Sequence, residues 1–210
     1  MLSVSKAVIA RLPRYYRYIC DLEVQGVSKV SSSELAQIMN VTSSQIRQDF
    51  NYFGGFGKQG YGYDIKVLKK EIARLLGLNN TYNVLIVGGG NVGRAYVGVS
   101  SIKNYGFNFK GIVDIDPQIV GTKINNVPVI EPSQIETFVK DNDIKIGIIV
   151  VPKENAKQLA HKLYDAGVRA FINFAHADLN LPVDAYIKNI HFSDSLLELA
   201  YSLSNNNWNY

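Results

Sequence analysis

Cysteine is nearly absent from this chain: Cys20 is the only one in 210 residues. A single thiol excludes an intrachain disulfide and a dithiol switch. Cys20 falls in a helix-like segment, where buried filler is the expected role and an exposed reactive thiol the alternative. Histidine is scarce as well. His161, His176 and His191 lie far apart, and no His/Cys/carboxylate cluster has metal-ligand spacing. No G-x-S-x-G nucleophile elbow is present. No apolar run approaches the ~18 residues of a membrane span. Met1–Lys6 lacks the apolar core of a secretory signal. A cytoplasmic protein without membrane contact is the expectation.

What is present bounds the architecture. The length suits one large or two small domains, and 47% hydrophobic content is ample for a packed core. The net charge of +4 is unevenly spread. Residues 1–80 hold eleven Lys/Arg against six Asp/Glu, and residues 81–210 hold eleven against twelve. A basic module is therefore joined to a nearly neutral one. A polyanionic partner for the first follows as an expectation, with a solvated basic face as the alternative.

The neutral module carries the most specific motif. Val84–Val87 is a short β-branched run that ends in Gly88-Gly-Gly90-Asn91-Val92-Gly93. This is G-x-G-x-x-G between a strand and a helix. Gly88 allows the tight turn, Gly90 lets backbone approach a pyrophosphate, and Gly93 lets helix pack on strand. The helix start at Asn91 and Val92 offers free N–H groups to phosphate. Twenty-one positions after Gly93, a second apolar run ends in Asp114. An acid there accepts from a ribose 2′-OH and repels a 2′-phosphate, so NAD(H) is favoured over NADP(H).

Strand-like and helix-like runs then alternate. Strands are expected at Asn83–Val87, Phe109–Val113, Ile146–Val151, Ala170–Asn173 and Asn189–Phe192. Helices are expected at Val92–Lys103, Pro132–Lys140 and Asn155–Ala166. Alternation of this kind predicts an α/β fold with a parallel sheet covered on both faces, its site at the carboxyl ends of the strands. Val151-Pro152 and Asn173–His176 should border that site, and His176 and His191 are candidate pocket residues. His161 reads as structural. A dehydrogenase also needs a substrate domain and a proton donor. About 130 residues after position 81 leave room for one nucleotide-binding domain only.

The basic module reads differently. Residues 5–20 have apolar residues near helical spacing, with Pro13 set against one straight helix. Arg11, Arg14 and Arg17 recur every three residues. Ser31-Ser-Ser-Glu34 and Thr42-Ser-Ser-Gln45 are two capping boxes, a tight Asn40-Val41 turn apart. Two short helices so joined form a helix-turn-helix pattern. The second helix presents Ser43, Ser44, Gln45, Arg47 and Gln48 near its start, where recognition helices read bases. Tyr52–Tyr63 alternates glycine with aromatics, as a hairpin wing with a basic tip at Lys58 would. Asp64 caps a further helix that runs through Leu76 and ends at Gly77. Together these describe a winged-helix domain over residues 1–80, with a small helical oligomerisation domain as the alternative.

Arg11-Leu-Pro-Arg-Tyr-Tyr-Arg17, Ser44–Gly54, Phe56–Tyr63, Gly88–Gly93, Asp114-Ile-Asp-Pro117 and Ile172-Asn-Phe-Ala175, in this order, resemble the Rex family of redox-sensing transcriptional repressors. The resemblance runs nearly end to end. It implies a homodimer with an N-terminal winged helix, a Rossmann NAD(H)-binding domain over 81–192, and a C-terminal helix in 193–210 swapped between subunits. It further implies palindromic operator DNA, bound when NADH is scarce and released when NADH accumulates. Arg47 becomes the principal groove or phosphate contact and Lys58 the wing contact. Arg17 aligns with an arginine linking the two domains, and Phe192 with an aromatic beside the nicotinamide.

Departures from the family pattern are specific. Gln48 and Gln59 stand where a basic residue is usual; each removes a phosphate contact, so binding should be weaker or less salt-sensitive than is typical of the family. His176 stands where proline is usual. The switch aspartate is His191, and the switch tyrosine aligns with Val99. These last two motivate an alternative, a DNA-binding regulator of the same build with a lost or altered NADH response. A small NAD-dependent oxidoreductase is a further alternative, set against the missing substrate domain.

Overall fold

The computed structural model describes residues 5–52 and 62–205. The chain divides into two compact units, Met1–Asn80 and Thr81–Tyr210. Among the described residues, no helix is long and apolar enough to cross a membrane.

Among the described residues, the first unit holds four helices and a small two-stranded sheet. α1 spans Lys6–Val24 and continues through Pro13, which sits on its exposed side. The expected break is absent, because α1 buries Val8, Leu12, Tyr15, Ile19 and Leu22 on both sides of the proline. Burial along one stripe outweighs one missing backbone hydrogen bond. Cys20 is half-buried rather than buried. α2 spans Ser32–Met39 and begins with a complete capping box, Glu34 N donating to Ser31 Oγ and Ser31 N to Glu34 Oε2. Asn40 ends α2 in the left-handed region at φ 51°, a conformation asparagine tolerates. α3, Ser43–Asn51, starts at Thr42, whose Oγ1 accepts from Gln45 N at 3.2 Å. α4 spans Ile65–Leu75, capped by Asp64. Leu35, Met39, Ile46, Phe50, Leu68 and Ile72 meet the α1 stripe in one core.

β1 (Lys29–Val30) pairs antiparallel with β2 (Tyr63–Asp64). The glycine-rich hairpin expected over 52–63 falls mainly on residues 53–61, outside the described residues, as do Lys58 and Gln59.

Among the described residues, the second unit is built on a seven-stranded sheet in the order β5-β6-β4-β3-β7-β8-β9. β3 (Tyr82–Val87) lies between β4 (Phe107–Val113) and β7 (Ile144–Ile149), parallel to both. β6 (Val127–Ile130), β8 (Ala170–Asn173) and β9 (Tyr186–Asn189) extend the parallel array. β5 (Lys123–Ile124) joins antiparallel through Asn125 and Asn126, both at positive φ, as a two-residue hairpin turn requires. Successive residues of β3 enter opposite layers. Val84 and Ile86 pack with Val97 of α5 (Asn91–Gly98). Leu85 and Val87 pack with the layer of α6 (Ile135–Asp141) and α7 (Lys153–Asp165). Two-sided burial is what makes this strand continuously apolar.

Most expected elements are present with ends shifted by one to three residues, and two differ more. The helix expected over Val92–Lys103 stops at Gly98, and Ser100–Tyr105 forms a 3-10 turn. Glycine, a β-branched valine and two serines are weak helix formers in succession. The last strand is not Asn189–Phe192 but Tyr186–Asn189, and α8 begins at Phe192 and runs to Ser204. Every residue of β9 is exposed, so it lacks the apolar alternation by which strands are read.

Candidate nucleotide cleft and DNA-reading helix

Sheet register builds the cleft. Val87 pairs with Val113 on one side and Ile149 on the other. The residues that follow, Gly88, Asp114 and Val150, therefore come level at one edge, where the chain reverses its direction of travel across the sheet. Gly88 adopts φ +116°, and a Cβ there would lie 2.7 Å from the Val150 carbonyl oxygen. Its N–H donates to Val113 O at 2.8 Å. A Cβ on Gly93 would collide with the Gly88 carbonyl oxygen. Gly90 caps α5 with no side chain, and a Cβ there would meet nothing within 4 Å. Gly88 and Gly93 are thus set by internal packing. Gly90 leaves open space before the N–H groups of a helix start, where an anion is favoured.

Asp114 fastens this loop. Its Oδ2 accepts from Gly89 N at 2.5 Å, and Oδ1 accepts from Ile115 N at 2.7 Å and Asp116 N at 2.9 Å. Arg94 Nε donates to Gly89 O at 2.8 Å. The Gly89 peptide is held from both ends. Sequence reasoning does not single out Arg94. Its signal is position, one residue past the last glycine of the motif.

A cavity of about 480 Å³ opens at this edge, lined by Gly88, Gly90, Asp114, Val151 and Pro152. Asn155, Gln158 and Lys162 of α7 also line it, and sequence reasoning missed them because their approach depends on tertiary packing. Asn91 and Val92 are the first residues of α5 and are exposed. The remaining predicted cofactor residues sit elsewhere. Asn173 is fully buried, its Nδ2 donating to Ala177 O and Asn189 Oδ1 and its Oδ1 accepting from Ala175 N. Those bonds shape the loop after β8 and do not address the cavity. Phe192 is 76% exposed at the start of α8.

His191, expected on a strand, precedes α8 instead. Its Nε2 lies 3.0 Å from Ala175 O and its Nδ1 3.5 Å from Asp194 Oδ2. The His176 ring lies against it, tilted by 31°, with ring centroids 4.7 Å apart. β8–β9 register brings the two together, since Asn173 pairs with Asn189. Among the described residues, no group of three His, Cys, Asp or Glu side chains could hold a metal ion.

In the first unit, α3 presents Ser44, Arg47 and Gln48 to solvent, with Ser43 and Gln45 partly covered. Arg47 donates to Ser44 Oγ at 3.1 Å and to Ser32 Oγ at 3.3 Å. Exposed bonds of this kind are readily exchanged for a phosphate or a base edge. Arg17 is exposed, its guanidinium 5.8 Å from the Tyr18 ring centre. The three arginines of α1 do not form one basic ridge. Arg11 pairs with Asp49, and Arg14 donates to Met39 O.

Fold and site together define a class: a helix-turn-helix DNA-binding unit joined to a dinucleotide-type Rossmann unit. Comparison with known proteins makes this particular. The family model "Putative DNA-binding protein N-terminus" matches residues 3–51, and "CoA binding domain" matches residues 79–177. The redox-sensing transcriptional repressor Rex of Thermoanaerobacter sp. (strain X514) is 48% identical over 201 residues, 96% of this chain and 90% of its own length. Rex of Clostridium perfringens (strain SM101 / Type A) is 43% identical over 203 residues, 97% and 96%. A crystal structure of the protein RSP in complex with β-NAD+ and operator DNA aligns with a TM-score of 0.93 at 47% identity, covering 98% of this chain and 95% of that one. RSP in complex with β-NADH aligns at 0.88 and 44%, covering 98% and 97%. The chain belongs to the Rex family of redox-sensing transcriptional repressors.

Proposed function

We propose that this chain is a cytoplasmic repressor that binds palindromic operator DNA as a homodimer and releases it when NADH occupies the Rossmann cleft. The observation that carries this reading is the pairing of two sites in one chain. One is an anion-accepting helix start beside Asp114. The other is an exposed recognition helix carrying Arg47. A two-fold dimer presents two such helices to a two-fold operator. In this reading α8 is the arm exchanged between subunits, which gives its exposed Leu196, Leu197, Leu199 and Leu203 a partner. Gly88, Gly90, Asn91, Val92, Gly93, Asp114, Val151 and Pro152 hold NAD(H). Phe192 joins them from the α8 start, and Asn173 acts by shaping its loop. Ser43, Ser44, Gln45, Arg47, Gln48 and Lys58 face DNA. Arg17 and His191 are the switch positions. No residue is assigned a catalytic role.

NADH shifts the population toward whichever arrangement it binds better. The coupling is reciprocal, so operator DNA weakens NADH binding by the factor by which NADH weakens operator binding. The test is anisotropy of a labelled palindromic operator, titrated with NADH against a fixed excess of NAD+. Release by NADH is the expected result. The contacts of His191 favour one alternative, since a ring set against His176 and facing Asp194 cannot offer the carboxylate of the family's switch aspartate. Tight operator binding that ignores NADH would select that alternative and retire the sensor.

Asp114 also makes a prediction of its own. Asp114→Ala removes a charged acceptor worth about 1.5–3 kcal/mol, so NADH affinity should fall roughly 10- to 150-fold. Preference for NADH over NADPH should shrink with it, as read by competitive titration. Unchanged affinity and preference would remove the ribose assignment.

A further inference from the structure

Asp49 of α3 is 2% exposed, a carboxylate inside the core of the DNA-binding unit. Three donors from α1 converge on it. Arg11 Nε reaches Oδ2 and Nη2 reaches Oδ1, each at 2.7 Å, and Tyr15 Oη donates to Oδ2 at 2.6 Å. Arg11 and Tyr15 stand one helical turn apart, so both reach the same point from one face of α1. Burial and its bond to Asp49 push the Tyr15 hydroxyl up, and Arg11's own bonds to Asp49 raise its guanidinium. Both donors therefore keep their protons through the neutral range.

Apolar packing alone is non-directional and leaves rotation of a short helix weakly specified. A bidentate guanidinium–carboxylate pair fixes direction as well as distance. Asp49 lies two residues after Arg47, about 200° around the helix. Pinning Asp49 inward therefore aims Arg47 outward. We infer that Asp49 is a positioning residue for operator reading, locked by Arg11 and Tyr15 so that α3 holds one rotation about its axis. Arg14 completes the arrangement by donating to Met39 O at the end of α2. Arg11 and Arg14 thus brace the two helices of the reading head.

This inference rests on the operator-binding reading. The test measures affinity of the full-length protein for a palindromic operator and for a random duplex of equal length, with NADH affinity and Tm alongside. Two variants are needed. Asp49→Asn leaves a cation half-paired and is expected to lower Tm. Arg11→Met/Asp49→Leu, made in a Tyr15→Phe background so that the buried hydroxyl that donates to Asp49 is not left unpaired, replaces the cluster with apolar volume, a change that is often neutral or stabilising. In both, operator-over-random preference should fall about tenfold or more, the scale of one mismatched base pair, while NADH affinity stays unchanged. The apolar variant decides the matter. A recovered Tm with preference still absent establishes positioning. Wild-type preference in the apolar variant overturns it, because the cluster would then only stabilise the fold. Wild-type protein that does not distinguish operator from random DNA overturns the operator reading, and this inference with it.

Discussion

Arg47→Ala is expected to abolish operator binding while leaving NADH binding intact. Arg47 is the basic side chain that α3 holds exposed at its middle. Its present bonds, to Ser44 and Ser32 hydroxyls, are solvent-exposed and are easily exchanged. A bidentate arginine pairing with guanine contributes about 1–3 kcal/mol of discrimination. In a two-fold complex the change occurs twice, so binding weakens by about 2–6 kcal/mol, or roughly 30- to 10⁴-fold in Kd. Its neighbour Gln48 is uncharged and cannot compensate. Salt dependence separates the two ways in which Arg47 could bind. If it neutralises one phosphate in each half-site, the variant's slope of log K against log salt should be shallower by about 2. If it reads a base, the slope should stay unchanged and the operator preference relax instead. Simultaneous loss of NADH binding would point to a misfolded protein and leave Arg47 without its assigned role.

Much of the fold is legible in the sequence because it is local. A capping box involves residues three apart, and Ser31 and Glu34 make both of its bonds. The strand Val84–Val87 is apolar on both faces because both faces are covered. The glycines repeat at the spacing that a strand–turn–helix connection demands, and Gly93 meets the Gly88 carbonyl for that reason. What is not legible is tertiary. Arg11, Arg14 and Arg17 look alike along the chain, yet the first two face inward partners 38 and 25 positions away. Asp49 does carry a signal. It shares the inward stripe of Ile46 and Phe50, and a lone acid on such a stripe asks for a buried partner. His176 and His191 stand fifteen residues apart and meet only through β8–β9 register. The exposed edge strand β9 has no apolar pattern, so the sequence places its end three residues late.

Gly93→Ala is expected to erase the NADH response. The added methyl would fall on the Gly88 carbonyl oxygen, with Ile86 Cγ2 3.4 Å away. Both neighbours are fixed. Gly88 N is bonded to Val113 O, and Ile86 is fully buried within β3. A flexible side chain could swing aside, but this carbonyl cannot move without shifting the turn itself. Either α5 lifts from β3 or the loop rotates, and both displace the N–H groups proposed to receive the pyrophosphate. Overpacking of this kind costs about 1–3 kcal/mol. Set against nucleotide binding, that is roughly a 5- to 150-fold loss in NADH affinity. Gly90→Ala provides the control, because its Cβ would enter open space. A pyrophosphate seated there would clash with that methyl, so Gly90→Ala should weaken NADH while leaving Tm unchanged. Gly93→Ala should lower both. The first unit keeps its own core, so each variant should still bind operator and fail to release it at NADH concentrations that free the wild-type protein. If Gly90→Ala binds NADH normally, the open space beside Gly90 is not the pyrophosphate site, and the cofactor must approach the sheet edge elsewhere.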